Sequence, residues 1–298
     1  MTQNIVPPRR RGGVPRALTV VRTEQLSPHL VRVHLGGEGF AAFLSAADPE
    51  RVARTDKYVK LLFAKPELGL QHPYDLEVLR EQLPLADLPV NRTYTVRSID
   101  EAAGTMALDF VVHGSDGIAG PWAATAQPGD VVTLSGPGGQ FLPSADATLP
   151  RLYLGDESAI PAIAAALEAL PAAATGLVLI EVGDAGDELQ LEAPAGVEVR
   201  WLHRAPVQPE AGTEPAAPAV HGTVLVAAAR ELPQPEVHPE VFAHGERDAM
   251  KQLRLLLHNG WGIERRALSL SAYWALGRAE DGFQAEKREA VGQIFPEA

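Results

Sequence analysis

The stretch "NRTYTVRSID", residues 91–100, governs how the rest of the chain is read. Side chains alternate across an extended strand, so Arg92, Tyr94 and Val96 share one face and Thr93, Thr95 and Arg97 the other. The segment is built like a buried strand, yet it carries an arginine, an aromatic ring and small hydroxyls close together. Two readings fit it alone: a strand whose Arg and Tyr line a barrel surface, or one that presents those groups to a bound molecule.

The neighbouring sequence supplies the context. "ALTVVRTEQLSPHLVRVHLGG" alternates apolar and polar residues around Ser27-Pro28, the pattern of a hairpin. "KYVKLLF" (57–63), "TMALDFVVHG" (105–114) and "GDVVTLSGPGG" (129–139) are further short strands, and a proline-containing loop over 65–90 leads into the opening stretch. Together they predict a small antiparallel β-barrel. After Pro143 the pattern changes. "RLYLGDE" runs into the alanine-rich helix "SAIPAIAAALEAL", and "GLVLIEVGD", "VEVRWLHRA", "TVLVAAARELP" and "EVFAHGERDAMKQLRLLLHNG" continue as strands alternating with helices. Such alternation predicts a doubly wound parallel sheet. The expected organisation is a flexible basic arm over 1–16, a β-barrel domain over 17–143 and an α/β domain over 150–298, with the Pro- and Ala-rich segment 205–220 as a solvent loop. A ligand belongs between the two domains, at the carboxyl ends of the sheet strands.

Composition narrows the chemistry. A chain of 298 residues, 46% apolar and 21% charged, has the make-up of an ordinary globular protein with two cores. No run approaches the roughly 20 apolar residues of a membrane span, and the N-terminus lacks the apolar centre of a secretory signal. With no cysteine, disulfides, thiolate metal sites and cysteine nucleophiles are excluded; the expected compartment is the cytoplasm. The net charge of −12 argues against nucleic acid as a partner but permits a local basic pocket. His-x-x-His, His-Glu-x-x-His, Walker A and Gly-x-Ser-x-Gly signatures are absent, which disfavours hydrolytic chemistry.

A flavin nucleotide asks for three things: cover for its ring, a small donor near N5 and O4, and cations or backbone N–H groups for its pyrophosphate. Arg92, Tyr94 and Thr95 offer all three types. "HGSDGIAGPWA" (113–123) adds glycines just before a predicted helix, where the backbone of Gly117, Ile118, Ala119 and Gly120 can approach a phosphate. "GDES" (155–158) precedes a second helix and reads either as plain capping or as a helix start facing a nucleotide. It lacks the Gly-x-Gly-x-x-Gly fingerprint.

The stretches "YVKLLF", "RTYTVRSID", "DFVVHGSDGIAGPWAATAQPGD", "SGPGG", "YLGDESAIPAIAAALEAL" and "SLSAYWALGRAEDGFQAEKRE" together resemble the siderophore-interacting proteins, flavin-dependent ferric-siderophore reductases related to ferredoxin–NADP reductases, over roughly residues 17–294. The resemblance implies an FAD-binding barrel followed by an NAD(P)-binding domain. It implies that Arg92, Thr93, Tyr94 and Thr95 hold FAD, with Tyr94 covering the isoalloxazine and Thr95 near N5, and that Asp109, Val111, His113, Gly117, Ile118, Ala119, Gly120 and Trp122 complete that set. Gly155, Asp156, Glu157, Ser158, Gly245 and Glu246 are implied for NADPH or NADH, and Lys57, Lys60 and Arg278 for the ferric siderophore. No residue is needed as acid or base, and no metal is held by the protein itself. The family's C-terminal Gly-Tyr-Trp-Arg reads "AYWA" here, so Ala272 and Ala275 replace the glycine and the arginine. The implied reaction carries electrons from NAD(P)H through FAD to chelated Fe(III) in a monomeric protein. Two alternatives stay open: electron exchange with a ferredoxin- or flavodoxin-like partner, and siderophore binding without turnover.

Overall fold

The computed structural model describes residues 13–112, 114, 117–204 and 219–295. Most of the expected arm over 1–16, His113, and most of the segment 205–220 lie outside the described residues.

Strands β1 (Arg16–Ser27), β2 (Leu30–Gly36), β3 (Tyr58–Phe63), β4 (Val90–Asp100), β5 (Thr105–Val111) and β6 (Val131–Gly138) close into an antiparallel barrel in the order β1-β2-β5-β4-β3-β6. The alternating pattern does this directly. Leu18, Val33, Val59, Leu61, Val96, Leu108, Phe110 and Leu134 point inward and are fully buried, while their neighbours face out. Closure leaves the barrel without free strand edges. Helix α1 (Gly39–Ala46) adds Phe40 and Phe43 to this core, and a short α2 (Pro49–Val52) follows it. The segment 65–90, read as a loop, contains helix α3 (Leu76–Gln82). The Asp75 carboxylate accepts from the backbone N–H groups of Glu77 and Val78 at its start. None of its residues is buried, and seven residues are too few for a helical period to stand out in sequence. Helix α4 (Ala119–Thr125) packs Ala119 and Ala123 onto the barrel.

The second domain is a five-stranded parallel sheet, β11-β10-β7-β8-β9, formed by β7 (Arg151–Asp156), β8 (Thr175–Val182), β9 (Gly196–His203), β10 (Glu240–Glu246) and β11 (Leu268–Trp274). Helix α5 (Ile160–Glu168) covers one face, over Tyr153, Val178, Ile180 and Phe242. Helices α6 (Thr223–Arg230) and α7 (Arg247–Arg254) cover the other, over Leu152, Leu154 and Leu179. Burial on both faces explains why β7 is buried along its whole length. The last helix of the described residues, α8 (Glu280–Glu286), returns to the barrel beside β4. No helix of the described residues is long and apolar enough to cross a membrane.

Two polar contacts fasten the domains together away from the strand ends. Arg97 on β4 sets both terminal nitrogens against the Glu168 carboxylate at the end of α5. Ser27 Oγ donates to Asp187 Oδ1 at 2.9 Å, and His29 Nδ1 lies 2.9 Å from Asp187 Oδ2. Burial raises the Asp187 pKa, but the hydrogen bonds from His29 and Ser27 outweigh it, so the carboxyl lies below its ordinary value. A depressed carboxylate contributes stability that is complete above its unfolded value and is lost as pH falls through the folded one. Asp187→Asn is therefore expected to lower the melting temperature at pH 7 by about 2–8 °C, corresponding to roughly 1–3 kcal/mol. The gap from the unmutated protein should narrow below about pH 4; a gap that does not depend on pH would show that the charge of Asp187 is immaterial.

Candidate functional site

The opening stretch lies on β4, and its two faces do different work. Val96 is fully buried in the barrel, and Tyr94 rests on Phe110 with ring centroids 4.2 Å apart. Burial, reinforced by Glu280, raises the Tyr94 hydroxyl well above its ordinary pKa. The opposite face meets the second domain. Thr93 donates through N–H and Oγ1 to the Glu280 carboxylate at 2.6–3.0 Å, and the Thr95 side chain hydrogen-bonds Tyr273.

Between β4 and the carboxyl ends of the sheet lies a cavity of about 680 Å³. Of the residues expected from sequence, Lys60, Thr93, Tyr94, Thr95, Asp109, Val111, Asp156, Glu157, Ser158 and Arg278 line it. Asp109 is held by Arg32, its register partner on β2, through hydrogen bonds of 2.6 and 2.8 Å. On β3 the inward residues are Val59 and Leu61, which turns Tyr58 and Lys60 toward the cavity.

Other expected residues stand elsewhere. Lys57 is off the face of Lys60 by an odd number of residues; its Nζ donates to the Arg54 carbonyl at 2.9 Å, and burial lowers its pKa. Of the three residues implied for the ferric siderophore, Lys60 and Arg278 line the cavity and Lys57 does not. Arg92 does not line the cavity but faces α8, donating to the Asn91 carbonyl at 2.6 Å and to Asp281 Oδ2 at 3.2 Å. Gly117 (φ +81°), Ile118, Ala119, Gly120 and Trp122 lie behind Val111 rather than on the cavity. There a Cβ on Gly120 would come within 3.1 Å of the Val111 carbonyl oxygen, and Trp122 packs on Phe63 and Phe110. Gly155 is packed beneath Ala159 and Ile163. Glu246 caps α7 by accepting from Asp248 and Ala249, on a smaller cavity of about 170 Å³ beside α6.

The "GDES" turn is a knot of hydrogen bonds. Asp156 accepts from Ser158 N and Oγ, from Glu246 N at 2.8 Å and from Trp274 Nε1 at 2.9 Å, joining β7, β10 and β11. Burial and the neighbouring Glu157 push its pKa up to about 6 against those bonds. Gly245 has a φ of +154°, and a Cβ there would come within 2.6 Å of the Asp156 carboxylate, so only glycine permits this approach. Glu157 pairs with Arg204, which also reaches Glu181 Oε1 at 3.3 Å.

Several lining residues escaped the sequence reading. Glu280, Phe283 and Lys287 come from α8 and its end, and His244 from β10. Lys287 stands over the Phe283 ring at 4.5 Å, and burial lowers its pKa, with Glu280 opposing and Lys60 adding to the shift. His244 carried a usable signal: a polar residue inside "EVFAHGE", an otherwise apolar strand of a parallel sheet. The donor set suits an FAD-sized ligand: threonine and serine hydroxyls, aromatic rings at Tyr273, Trp274 and Phe283, and cations at Lys60, Arg278 and Lys287 around a cavity of ordinary ligand-site volume.

Comparison with known proteins agrees with this arrangement. A family model described as a siderophore-interacting FAD-binding domain matches residues 19–141, and one described as siderophore-interacting protein matches residues 150–277. An uncharacterized protein of Mycobacterium tuberculosis is 44% identical over 281 residues, covering 92% of this chain and 94% of that protein. The ferric vibriobactin reductase ViuB of Vibrio cholerae is 31% identical over 292 residues, covering 94% and 97%. The crystal structure of a siderophore utilization protein from T. fusca superposes with a TM-score of 0.71 at 36% identity, covering 89% of this chain and 94% of that one. With both domains matched in order and relatives aligned over more than nine-tenths of their length, this chain belongs to the siderophore-interacting protein family.

Proposed function

We propose that this chain is an FAD-dependent ferric-siderophore reductase that draws electrons from NADH or NADPH. The observation that carries the reading is the placement of the "RTYT" strand across one cavity from the carboxyl ends of the parallel sheet. Similarity to the ferric vibriobactin reductase of V. cholerae supports the reaction class. Bound FAD supplies the ability to take up two electrons together and give them up one at a time.

The chain's own residues bind and orient. Among the described residues the ion-pair partner of Arg92 is the exposed carboxylate of Asp281, an arrangement worth about 0–1 kcal/mol. A pyrophosphate, taken bidentately by the guanidinium, is the stronger partner. Thr93 and Thr95 put hydroxyls at the cavity wall, and the aromatic side chains of β11 and α8 exclude water from it. Lys60, Arg278 and Lys287 offer positive charge to an anionic iron chelate. Reduction of the iron breaks no covalent bond and lowers the charge on which hard oxygen donors depend. The reaction therefore calls for no catalytic acid–base pair.

The direct test is anaerobic addition of NADH or NADPH to the flavin-reconstituted protein, followed by a ferric siderophore with a chromogenic ferrous chelator present. Bleaching of the flavin, then its return together with ferrous release, is expected; failure of the protein to take up FAD would sink the proposal. Arg92→Ala should weaken FAD binding about 10–100-fold in a fluorescence titration, and an unaltered isotherm would remove Arg92 from the site. Lys60→Ala should raise KM for an anionic ferric chelate about three- to tenfold without changing the flavin spectrum, whereas Lys57→Ala should change neither. Equal effects of the two substitutions would show that the cavity-facing position of Lys60 is irrelevant.

A further inference from the structure

His244 is a buried titratable group for which the chemistry above has no use. It stands at the carboxyl end of β10, in register with Gly155 of β7, where the strand order of the sheet reverses. Doubly wound sheets take their ligands in the crevice at that reversal. The ring is clamped: it stacks on Phe242 with centroids 4.0 Å apart and planes 6° from parallel, and it meets the Tyr273 ring edge-on at 4.8 Å. Nε2 lies 2.9 Å from Ser269 Oγ, whereas Nδ1 is buried with no hydrogen-bond partner. The residue is only 4% exposed, yet it lines the cavity together with Ser269 and Tyr273. A buried, unpaired polar nitrogen is costly and rare in a finished fold, and a ligand-facing wall is one place where it persists.

The chemistry of the missing partner can be read from the surroundings. Burial keeps the imidazole neutral, lowering its pKa to about 3, with the Ser269 backbone opposing and Lys287 adding to the shift. A neutral ring has one donor and one acceptor nitrogen, and the Ser269 hydroxyl can serve Nε2 in either role, so Nδ1 can be either. Charges of both signs line the cavity, Lys287 acting on the ring and Asp156 and Glu157 among the other lining residues, so no single charge is favoured at Nδ1. An uncharged carboxamide, with N–H and C=O side by side, satisfies Nδ1 in both forms.

We infer that His244 Nδ1 is the hydrogen-bond partner of the nicotinamide carboxamide, a specificity-determining contact that seats the nicotinamide ring at the end of β10. This rests on the reading that a pyridine nucleotide is the electron donor.

The test is calorimetric titration of the FAD-loaded protein with NAD+ and NADP+, and with ADP-ribose and 2′-phospho-ADP-ribose, which lack only the nicotinamide. His244→Leu should weaken the bound dinucleotide about tenfold while leaving its ADP-ribose counterpart unchanged, and His244→Gln, which restores an amide, should recover most of the loss. Equal weakening of both ligands, or of neither, overturns the inference alone. If the unmutated protein binds neither dinucleotide, the inference falls together with the nucleotide-donor reading. Should His244→Leu fail to retain FAD, Ser269→Ala replaces it: a selective loss of dinucleotide affinity supports the contact, and an unselective or absent loss overturns it.

Discussion

The two-residue period of β4 is the constraint on which the rest of the molecule depends. One face of the strand finishes the barrel core through Val96, with Tyr94 laid on Phe110. The other presents three successive outward residues to three different parts of the second domain: Thr93 to α8, Thr95 to β11 and Arg97 to α5. A slip of one residue would drive an arginine and two hydroxyls into the core and leave the domains without a seam. The cavity exists because this strand is shared between a barrel that needs one of its faces and a sheet whose open end needs the other.

That open end has an unusual electrostatic character. The turn that opens α5 is capped by Asp156, α6 starts on backbone N–H groups of Gly222 and Leu225 that donate to Glu181, and α7 is capped by Glu246. Helix starts at such an edge commonly hold a ligand's phosphate; here each of these three already holds a carboxylate of the chain. Arg204 compensates two acidic neighbours, Glu157 and Glu181, and losing it would leave buried charge without a partner. The missing Gly-x-Gly-x-x-Gly fingerprint is the sequence trace of the same fact. On the proposed function, a nucleotide at this edge would lean on its ring more than on these helix starts, which is the place inferred for the neutral His244.

Much of this architecture was legible because both cores advertise themselves in period and composition. Barrel strands alternate, sheet strands run apolar throughout, and each follows from whether one or two faces are covered. The site was legible where its residues are close in sequence, as in Thr93–Thr95 and Asp156–Ser158. It was not legible where the chain returns from far away. Glu280 reaches Thr93 across 187 positions, and Arg92 finds Asp281 across 189, distances over which no local pattern operates. Lys57 and Lys60 differ for the opposite reason: Lys57 lies just before β3 while Lys60 lies on it, and the Lys57 ammonium is held by a backbone carbonyl three residues upstream.

The net charge of the chain and the lysines at the cavity act on an anion in opposite directions. A net charge of −12 repels an anionic chelate from most of the surface. Lys60 and Lys287 are brought close enough at the cavity to shift the pKa of Lys287, with Glu280 between strand and helix moderating the repulsion. Holding two ammonium groups near one another costs energy in the empty protein and is relieved when an anion arrives between them. On the proposed function, Lys60, Arg278 and Lys287 at the cavity would draw an anionic chelate to one place on a chain whose net charge disfavours it elsewhere.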